Sequence, residues 1–548
     1  MAGGRIREEL ALPSAPALAA RRHGRVPIHL DVPLDLFPEA GTELDYVTFA
    51  DLVDRAARLL VSAGAGPGHR VMVVKRPNFD IPLLAFACAR IGAVPVLVHP
   101  TVGAANLPVL VARARPAVLV TDAHAASLGV LDGLDAAGEG PARWYAGSAP
   151  VAGARPLLGL PPAELPGRPV PRPEDEQLVT HTSGTTGVPK LVLQTALTFA
   201  GQARPQTVVG RLLRVRDPYL VCISPVHVRT VAAIVSTLAV GLPLGFMTEP
   251  DPHNAALMLR RVRPGVVETV PNAFIRWEEI ADEQPRLLAS VRLFVSTFDA
   301  AHPRTIRTLL RAGRRGARYV QVYGQSETGP VAMKFYRREP GRRCADGRCV
   351  GRPLIGHSKV RIGGLEGGAG AVGRGTTGAI MTRTSAVTPT YLGTPDQRVD
   401  GWWAMGDVGV VTGRGCLHLF DRIVDRRPGT ESLLALEDTI LERVPELTEA
   451  VLVPMEDGRP PVPLICTRGD RPLPGRAWEA AVAGLPPVAP PVHLTWDEIP
   501  HTATWKVRRP EAALLLGSFA GGPPPNAAGA VRPHERKTSD DTPVPAHR

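Results

Sequence analysis

From residue 45 onward the apolar positions of the chain switch between two rhythms. In "FADLVDRAARLLVSAG", Phe49, Leu52, Val53, Ala56 and Leu60 recur at helical spacing and give a helix one apolar face. "VMVV" (71–74) is a short unbroken apolar run, the pattern of a strand buried on both sides. A helix over "DIPLLAFACARIGA" follows, then the Val-rich strands "VPVLV" (94–98) and "AVLVT" (117–121), again separated by helical stretches. This alternation predicts an α/β fold: a large N-terminal domain of parallel-rich sheets flanked by helices. After about residue 421 the rhythm changes. "AVLVPMEDGRPPVPLIC" reads as two strands joined by a turn at Asp457-Gly458, and a helix follows around "GRAWEAAVAGL". The expected organisation is a large domain over 26–421 and a small mobile α+β domain over 422–517. Residues 1–25 and 518–548, rich in Pro, Gly and charge, are expected to be disordered.

"TVAAIVSTLAVGLPLGFM" (230–247) is uncharged and of membrane-spanning length, but Gly241 and Pro243 divide it into a helix and a strand, so a buried core helix is expected. The 548 residues exceed one hydrophobic core, and 44% hydrophobic with 21% charged residues is a globular balance. A net charge of +11 suits anionic ligands such as nucleotides, or an acidic protein partner. The arginines are spread along the chain and aromatics are only 5%, which argues against nucleic acid. Of six cysteines only Cys344 and Cys349 lie close together, short of the four ligands of a structural zinc site. Glu8 and Glu9 break any early apolar core, so neither a secretory leader nor a membrane anchor is expected, and a reduced, cytoplasmic protein is.

The chemistry concentrates in "LVTHTSGTTGVPKLVLQ" (178–194). An apolar strand runs into Thr182, Ser183, Gly184, Thr185, Thr186 and Gly187, then reaches Lys190 and a second strand. The glycines let backbone N–H groups converge on one point, the hydroxyls add donors, and the lysine adds charge; together they suit nucleotide phosphates. The spacing is not that of a Walker loop, which sets a P-loop NTPase aside.

"HTSGTTGVPK" resembles the phosphate-loop signature of the adenylate-forming superfamily, which includes acyl-CoA synthetases, nonribosomal-peptide adenylation domains and firefly luciferase. The resemblance runs from about residue 45 to 510 in the family's order. "YVQVYGQSETGP" (319–330) is similar to the adenine and magnesium motif. It implies that Tyr323 stacks on adenine, with Gly324 and Gln325 beside it, that Ser326 bonds the α-phosphate, and that Glu327 holds Mg²⁺. "DGWWAMGDVG" (400–409) resembles the segment whose Asp407 takes the ribose hydroxyls, and "FDRIVDR" (420–426) the hinge motif, whose Arg422 reaches ribose or phosphate. "SPVHVRT" (224–230) resembles the segment in which His227 borders the substrate, with Arg229 a candidate partner for a substrate anion.

"IPHTATWKVRR" (499–509) resembles the terminal motif whose lysine, here Lys506, reaches from the small domain into the active site. The reaction joins two anions, and a compact ammonium can touch a carboxylate and a phosphoryl oxygen at once where a wide guanidinium cannot. Only six of the 63 basic residues are lysine, so finding lysine at both 190 and 506 by blind choice would happen roughly once in a hundred.

Three departures bear on the second half-reaction. Trp505 stands where the family has glycine, the post-hinge loop "RRPGTESLLALE" (426–437) is short with one glycine, and "STFDAA" (296–301) replaces a small-residue stretch. Thr297, Phe298 and Asp299 are therefore expected at the substrate, and Phe298 to favour a small carboxylic acid. The resemblance implies ATP- and Mg²⁺-dependent activation of that acid as an acyl-adenylate, then transfer, with coenzyme A first among acceptors. A carrier-protein thiol, an amine, ATP-dependent diazotisation of an aryl amine, and an inactive nucleotide-binding relative remain alternatives.

Overall fold

The computed structural model describes residues 6–135, 141–147, 149–182, 188–298, 301–338, 348–364, 373–423, 432–455, 459–502, 505 and 507–519. The sequence rhythm is realised closely. The strands Arg70–Val74, Val94–Val98 and Val118–Thr121 are buried and pair in parallel. They belong to a seven-stranded sheet that ends in Glu176–His181 and its antiparallel neighbour Leu191–Thr195. Asp45 caps the helix Tyr46–Ser62 by accepting from Thr48 N–H at 2.7 Å, and the five predicted apolar positions of that helix are buried.

A second, 13-stranded sheet carries the parallel strands Tyr219–Cys222, Val266–Thr269, Leu293–Ser296 and Arg318–Gln325 side by side. Their carboxyl ends open on the same edge, the place where open α/β sheets bind ligands. The antiparallel strands Trp403–Val411 and Leu417–Arg422 extend this sheet. The 230–247 stretch divides as expected: helix Val228–Val240 ends at Gly241 in the left-handed conformation (φ 83°), and strand Leu244–Phe246 follows. No described helix is long and apolar enough to cross a membrane.

The expectation of disorder over 1–25 is corrected from residue 6 onward. A 3₁₀ turn, Glu8–Leu10, and a helix, Ala15–His23, pack on helices Tyr46–Ser62 and Val228–Val240. Leu10, Leu12, Ala15, Leu18 and Ala19 are buried there, and Arg22 and Arg211 both hold Glu9, at 2.5 and 2.7 Å. Overall composition concealed a short amphipathic pattern whose partners are remote in sequence.

The small lobe has its own three-stranded sheet (Leu447–Val453, Val462–Thr467, Val492–His493) and its own cores, one around Leu436, Ile440, Leu452 and Ile465. The predicted turn at Asp457-Gly458 lies outside the described residues; the tail expected to be disordered from 518 begins within helix Arg509–Phe519, and from 520 it too lies outside them. The lobe is fastened by polar contacts. His302 Nδ1 lies 2.6 Å from Asp438 Oδ1, and Arg348 Nε donates to Asp438 Oδ2 at 2.9 Å. Arg304 donates to the carbonyls of Leu441 (3.0 Å) and Leu447 (2.7 Å), and Arg468 pairs with Glu278 (2.6 Å) and Asp282 (2.8 Å).

Burial alone would lower the His302 pKa, but the hydrogen bond and charge of Asp438 outweigh it and raise it above the usual histidine value. Asp438 is likewise penalised by burial, yet His302 and Arg348 hold its carboxyl below the usual range. The imidazolium's contribution is thus complete below its unfolded pKa, about 6.5, and fades as pH rises through the raised folded value. The carboxylate's contribution is present above about 3.9 and fades as pH falls through the depressed one. We expect His302→Gln to lower the thermal midpoint by about 2–4 °C at pH 5.5 and by less at pH 9. An equal loss at both pH values would mean that the charge on His302 contributes nothing.

Candidate active site

The turn after strand Arg318–Gln325 is the anchor of the site. The Ser326 carbonyl accepts from Gln194 Nε2 and from Gln202 Nε2, each at 2.9 Å. Its Oγ lies 2.9 Å from His227 Nε2. His227 caps helix Val228–Val240, and its Nδ1 accepts from Arg229 N–H at 2.9 Å, which puts the ring proton on Nε2, facing Ser326. Gly324 could be no other residue: an added Cβ would lie 2.1 Å from the Gly329 carbonyl oxygen across the hairpin. Gln325 Nε2 donates to the Met405 carbonyl, tying the turn to the strand that carries Asp407.

Glu327 is nearly buried, its carbonyl accepts from Thr388 N–H at 2.6 Å, and its Oε1 accepts from Tyr391 OH at 2.8 Å. Lys190 Nζ sits 4.8 Å from the centre of the Tyr391 ring. Tyr391 thus joins the lysine after the phosphate loop to the candidate metal carboxylate, and no motif in the sequence had singled it out. The loop is closed at its base by Thr182 N–H to the Lys190 carbonyl (2.9 Å) and Lys190 N–H to Thr182 Oγ1 (3.1 Å). Ser183, Gly184, Thr185, Thr186 and Gly187 lie outside the described residues. No cluster of three His, Cys, Asp or Glu side chains suited to a metal occurs among the described residues. The donor set fits a Mg²⁺ ion that takes one carboxylate from the protein and its other oxygens from phosphate and water.

Tyr323 and Asp407 meet directly: the phenol donates to Asp407 Oδ2 at 2.6 Å. Burial and then the Asp407 charge push the Tyr323 pKa well up, so the phenol stays protonated and remains a donor. Arg422 pairs with Asp407 across the strands Trp403–Val411 and Leu417–Arg422, with Nε 3.3 Å from Oδ1.

Beside the turn a cavity of about 200 Å³ is lined by His227, Arg229, Thr297 and Phe298 among others. The Phe298 ring meets His227 edge-on at 4.4 Å, and Phe298 takes a left-handed φ of 79°, a conformation that disfavours a bulky side chain. The Thr297 hydroxyl is buried without a hydrogen-bond partner among the described residues. Arg229 is more committed than a solvated arginine. Its Nε and Nη2 donate to the fully buried Glu268 (2.6 and 2.7 Å), Nη2 also reaches Gln206 (2.6 Å), and Tyr219 bonds the same carboxylate. Arg229 Nη1 has no partner among the described residues. Glu268, Tyr219 and Gln206 were not legible as site residues, since each lies singly in an ordinary strand or helix. Asp299 lies outside the described residues.

Lys506 also lies outside them, between the described Trp505 and Val507. Trp505 holds a left-handed φ of 60°, donates to the Thr502 carbonyl at 2.9 Å, and accepts at its own carbonyl from Asn272 Nδ2 at 3.0 Å. Asn272 follows strand Val266–Thr269 at the ligand edge of the sheet. On the other side, the charge of Arg508 acts on His99 and His181, the latter adjoining the phosphate loop. The described residues on either side of position 506 thus lie near Asn272 and near His181.

A model of the AMP-binding enzyme family matches residues 18–392. The 3-amino-2-hydroxy-4-methoxybenzoate diazotase of Streptomyces cremeus is 38% identical over 525 residues, covering 91% of this chain and 94% of that protein. A 4-chlorobenzoate–CoA ligase of an Arthrobacter species is 24% identical over 91% and 95%. Among solved structures, the amide bond synthetase of Marinactinospora thermotolerans superposes with a TM-score of 0.73 at 22% identity, over 92% of this chain and 99% of that one. An anthranilate CoA ligase holding anthranoyl-AMP reaches 0.78 at 16% identity, over 94% and 98%. These two share the fold. With Lys190, the Ser326 turn and Asp407 linked through Tyr391, Glu327 and Tyr323, the chain belongs to the AMP-binding, adenylate-forming enzyme family.

Proposed function

We propose that the chain is an ATP-dependent diazotase that adenylates nitrite and passes its nitrosyl group to an aryl amine of the aminobenzoate class. The observation that carries this reading is the 38% identity to a diazotase across 91% of the chain. Nitrite, like a carboxylate, is a planar bent O–X–O anion, so machinery for carboxylate adenylation accepts it without new parts. Transfer to coenzyme A, the acceptor that the family resemblance puts first, is supported by more distant relatives such as the 24%-identical ligase.

In the first half-reaction a nitrite oxygen attacks the α-phosphorus of ATP, a P–O bond forms, and the bond to pyrophosphate breaks. Lys506 lowers the repulsion between the two anions by bridging them, while Lys190 and the hydroxyls of 182–186 hold the outer phosphates. Glu327, oriented by Tyr391, is the carboxylate for Mg²⁺, which when bound neutralises phosphate charge. Asp407 and Arg422 take the ribose, Tyr323 the adenine, and Ser326 the α-phosphate. In the second half-reaction the amine nitrogen attacks the nitrosyl nitrogen. An N–N bond forms, the N–O bond to AMP breaks, and the amine proton leaves. The N-nitroso product then gains a proton and loses water to give the diazonium ion. The ring rests against Phe298, and Arg229 Nη1 and Thr297 Oγ1, without partners among the described residues, bond its carboxylate and hydroxyl substituents.

With ATP, Mg²⁺, sodium nitrite and 3-aminobenzoates, pyrophosphate release is expected to require nitrite and to match an azo dye formed by trapping the diazonium. Nitrite-independent release with benzoic acids, accompanied by a CoA thioester, would overturn the reading. Lys506→Arg is expected to lose at least about 100-fold in adenylate formation while still binding ATP, read by pyrophosphate exchange and nucleotide titration. Tyr391→Phe is expected to raise the Mg²⁺ concentration for half-maximal rate about tenfold, because Glu327 loses the group that orients it. An unchanged Mg²⁺ dependence would remove Tyr391 from that role.

A further inference from the structure

The cavity beside His227 does not stop at the depth of one ring. Its floor is the face of the parallel sheet, and strand Arg318–Gln325 contributes Arg318, Val320, Val322 and Gly324, every second residue along its length. Six residues at about 3.3 Å each make that run roughly 20 Å long. Its roof is helix Ala196–Leu212, which contributes Gln202, Gln206 and Val209, with Leu213 just beyond the helix end. Eleven residues at 1.5 Å give about 16 Å, in agreement. One end is the Ser326 turn, which Gln202 touches; the other is open, where Leu213 (63% exposed) and Phe335 (48%) rim the mouth. An aminobenzoate, built from bonds of about 1.4–1.5 Å, spans roughly 7 Å and fills less than half of this.

The seam stays open for a sequence reason. A helix packed on a sheet normally fills the contact with bulky aliphatic side chains at crystal-like density. Here the roof presents Pro205 and glutamines at two turns, and Val209 and Leu213 come only toward its far end, so the slot near Gln202 is not filled from above. The walls are unequal. Tyr219 and Arg229, joined through Glu268, and Gln206, which accepts from Arg229, form a polar side, and Leu293 and Val295 form an apolar one.

From this geometry we infer that the preferred substrate is an elongated aryl amine: a reactive ring at His227 and Phe298, and an apolar extension opposite the amine that runs along the sheet toward Leu213 and Phe335. The inference rests on the diazotase reading for the identity of the reacting group, and on the channel for the extension.

The test is a series of 4-alkylanilines with straight chains of one to eight carbons, assayed with ATP and nitrite by azo coupling. Burial of successive methylenes is expected to raise kcat/KM roughly threefold each for about five carbons, then level off where the chain emerges. The ratio of kcat/KM for the six-carbon amine to that for aniline, on the order of 100 in the wild type, is expected to fall to about one in Val209→Trp, which plugs the channel. A decline from the first added carbon, with aniline still diazotised, overturns the extension and leaves the diazotase reading standing. If neither the alkylanilines nor 3-aminobenzoate, run alongside, yields a diazonium, the diazotase reading fails and binding decides the channel; if 3-aminobenzoate alone is diazotised, that reading stands and the apolar extension is overturned. Thermal stabilisation by hexylaniline that Val209→Trp abolishes supports it, and equal or absent stabilisation in both proteins overturns it.

Discussion

A peptide turn held from three directions is what the remainder of the site depends on. Ser326 has one carbonyl and one hydroxyl, and both are engaged by side chains from other elements: Gln194 and Gln202 at the carbonyl, His227 at the hydroxyl. Each glutamine comes from a different arm of the unit that also forms the phosphate loop, one from its second strand and one from the helix that follows. The turn, the strand and helix that follow the loop, and the cavity at His227 are thereby held at fixed mutual distances. Such preorganisation is what electrostatic stabilisation of a phosphoryl transition state requires.

The polar joint between the lobes is the second constraint. The small lobe has its own cores and sheet, so it would keep its shape wherever it lay. Its docking is decided instead by arginines inserted among carbonyls and carboxylates, and by Asn272 holding the Trp505 carbonyl at the ligand edge. Trp505 keeps a left-handed backbone there, at a cost of about 1–3 kcal/mol that the surrounding contacts must offset. Trp505 therefore puts a strained, side-chain-held backbone where the family pattern has a glycine.

Scarcity of lysine pointed to positions where a compact ammonium is needed, and Lys190 beside Tyr391 fits that reading. Lys75 fits it for another reason. It is wholly buried and donates to Asp35 (2.9 Å), Asn78 (3.0 Å) and Asp80 (2.7 Å), a convergence that a planar guanidinium could not satisfy in that space. Rarity marks geometric demand, whether catalytic or structural.

The sequence by itself determined the α/β class, the strands from Arg70 to Thr121, the division at Gly241 and Pro243, and the family, because periodicity and short contiguous motifs are local properties. Only the tertiary structure decided that the first helix is packed, since its partners lie on distant helices. It alone brought Tyr391 to Glu327, because the contact joins segments 64 residues apart with no shared motif. The buried Arg229–Glu268 pair and the length of the channel belong to the same class: both arise where a helix is laid over the face of a sheet, and which side chains meet there depends on strand order and register, neither of which is encoded in any one stretch of the chain.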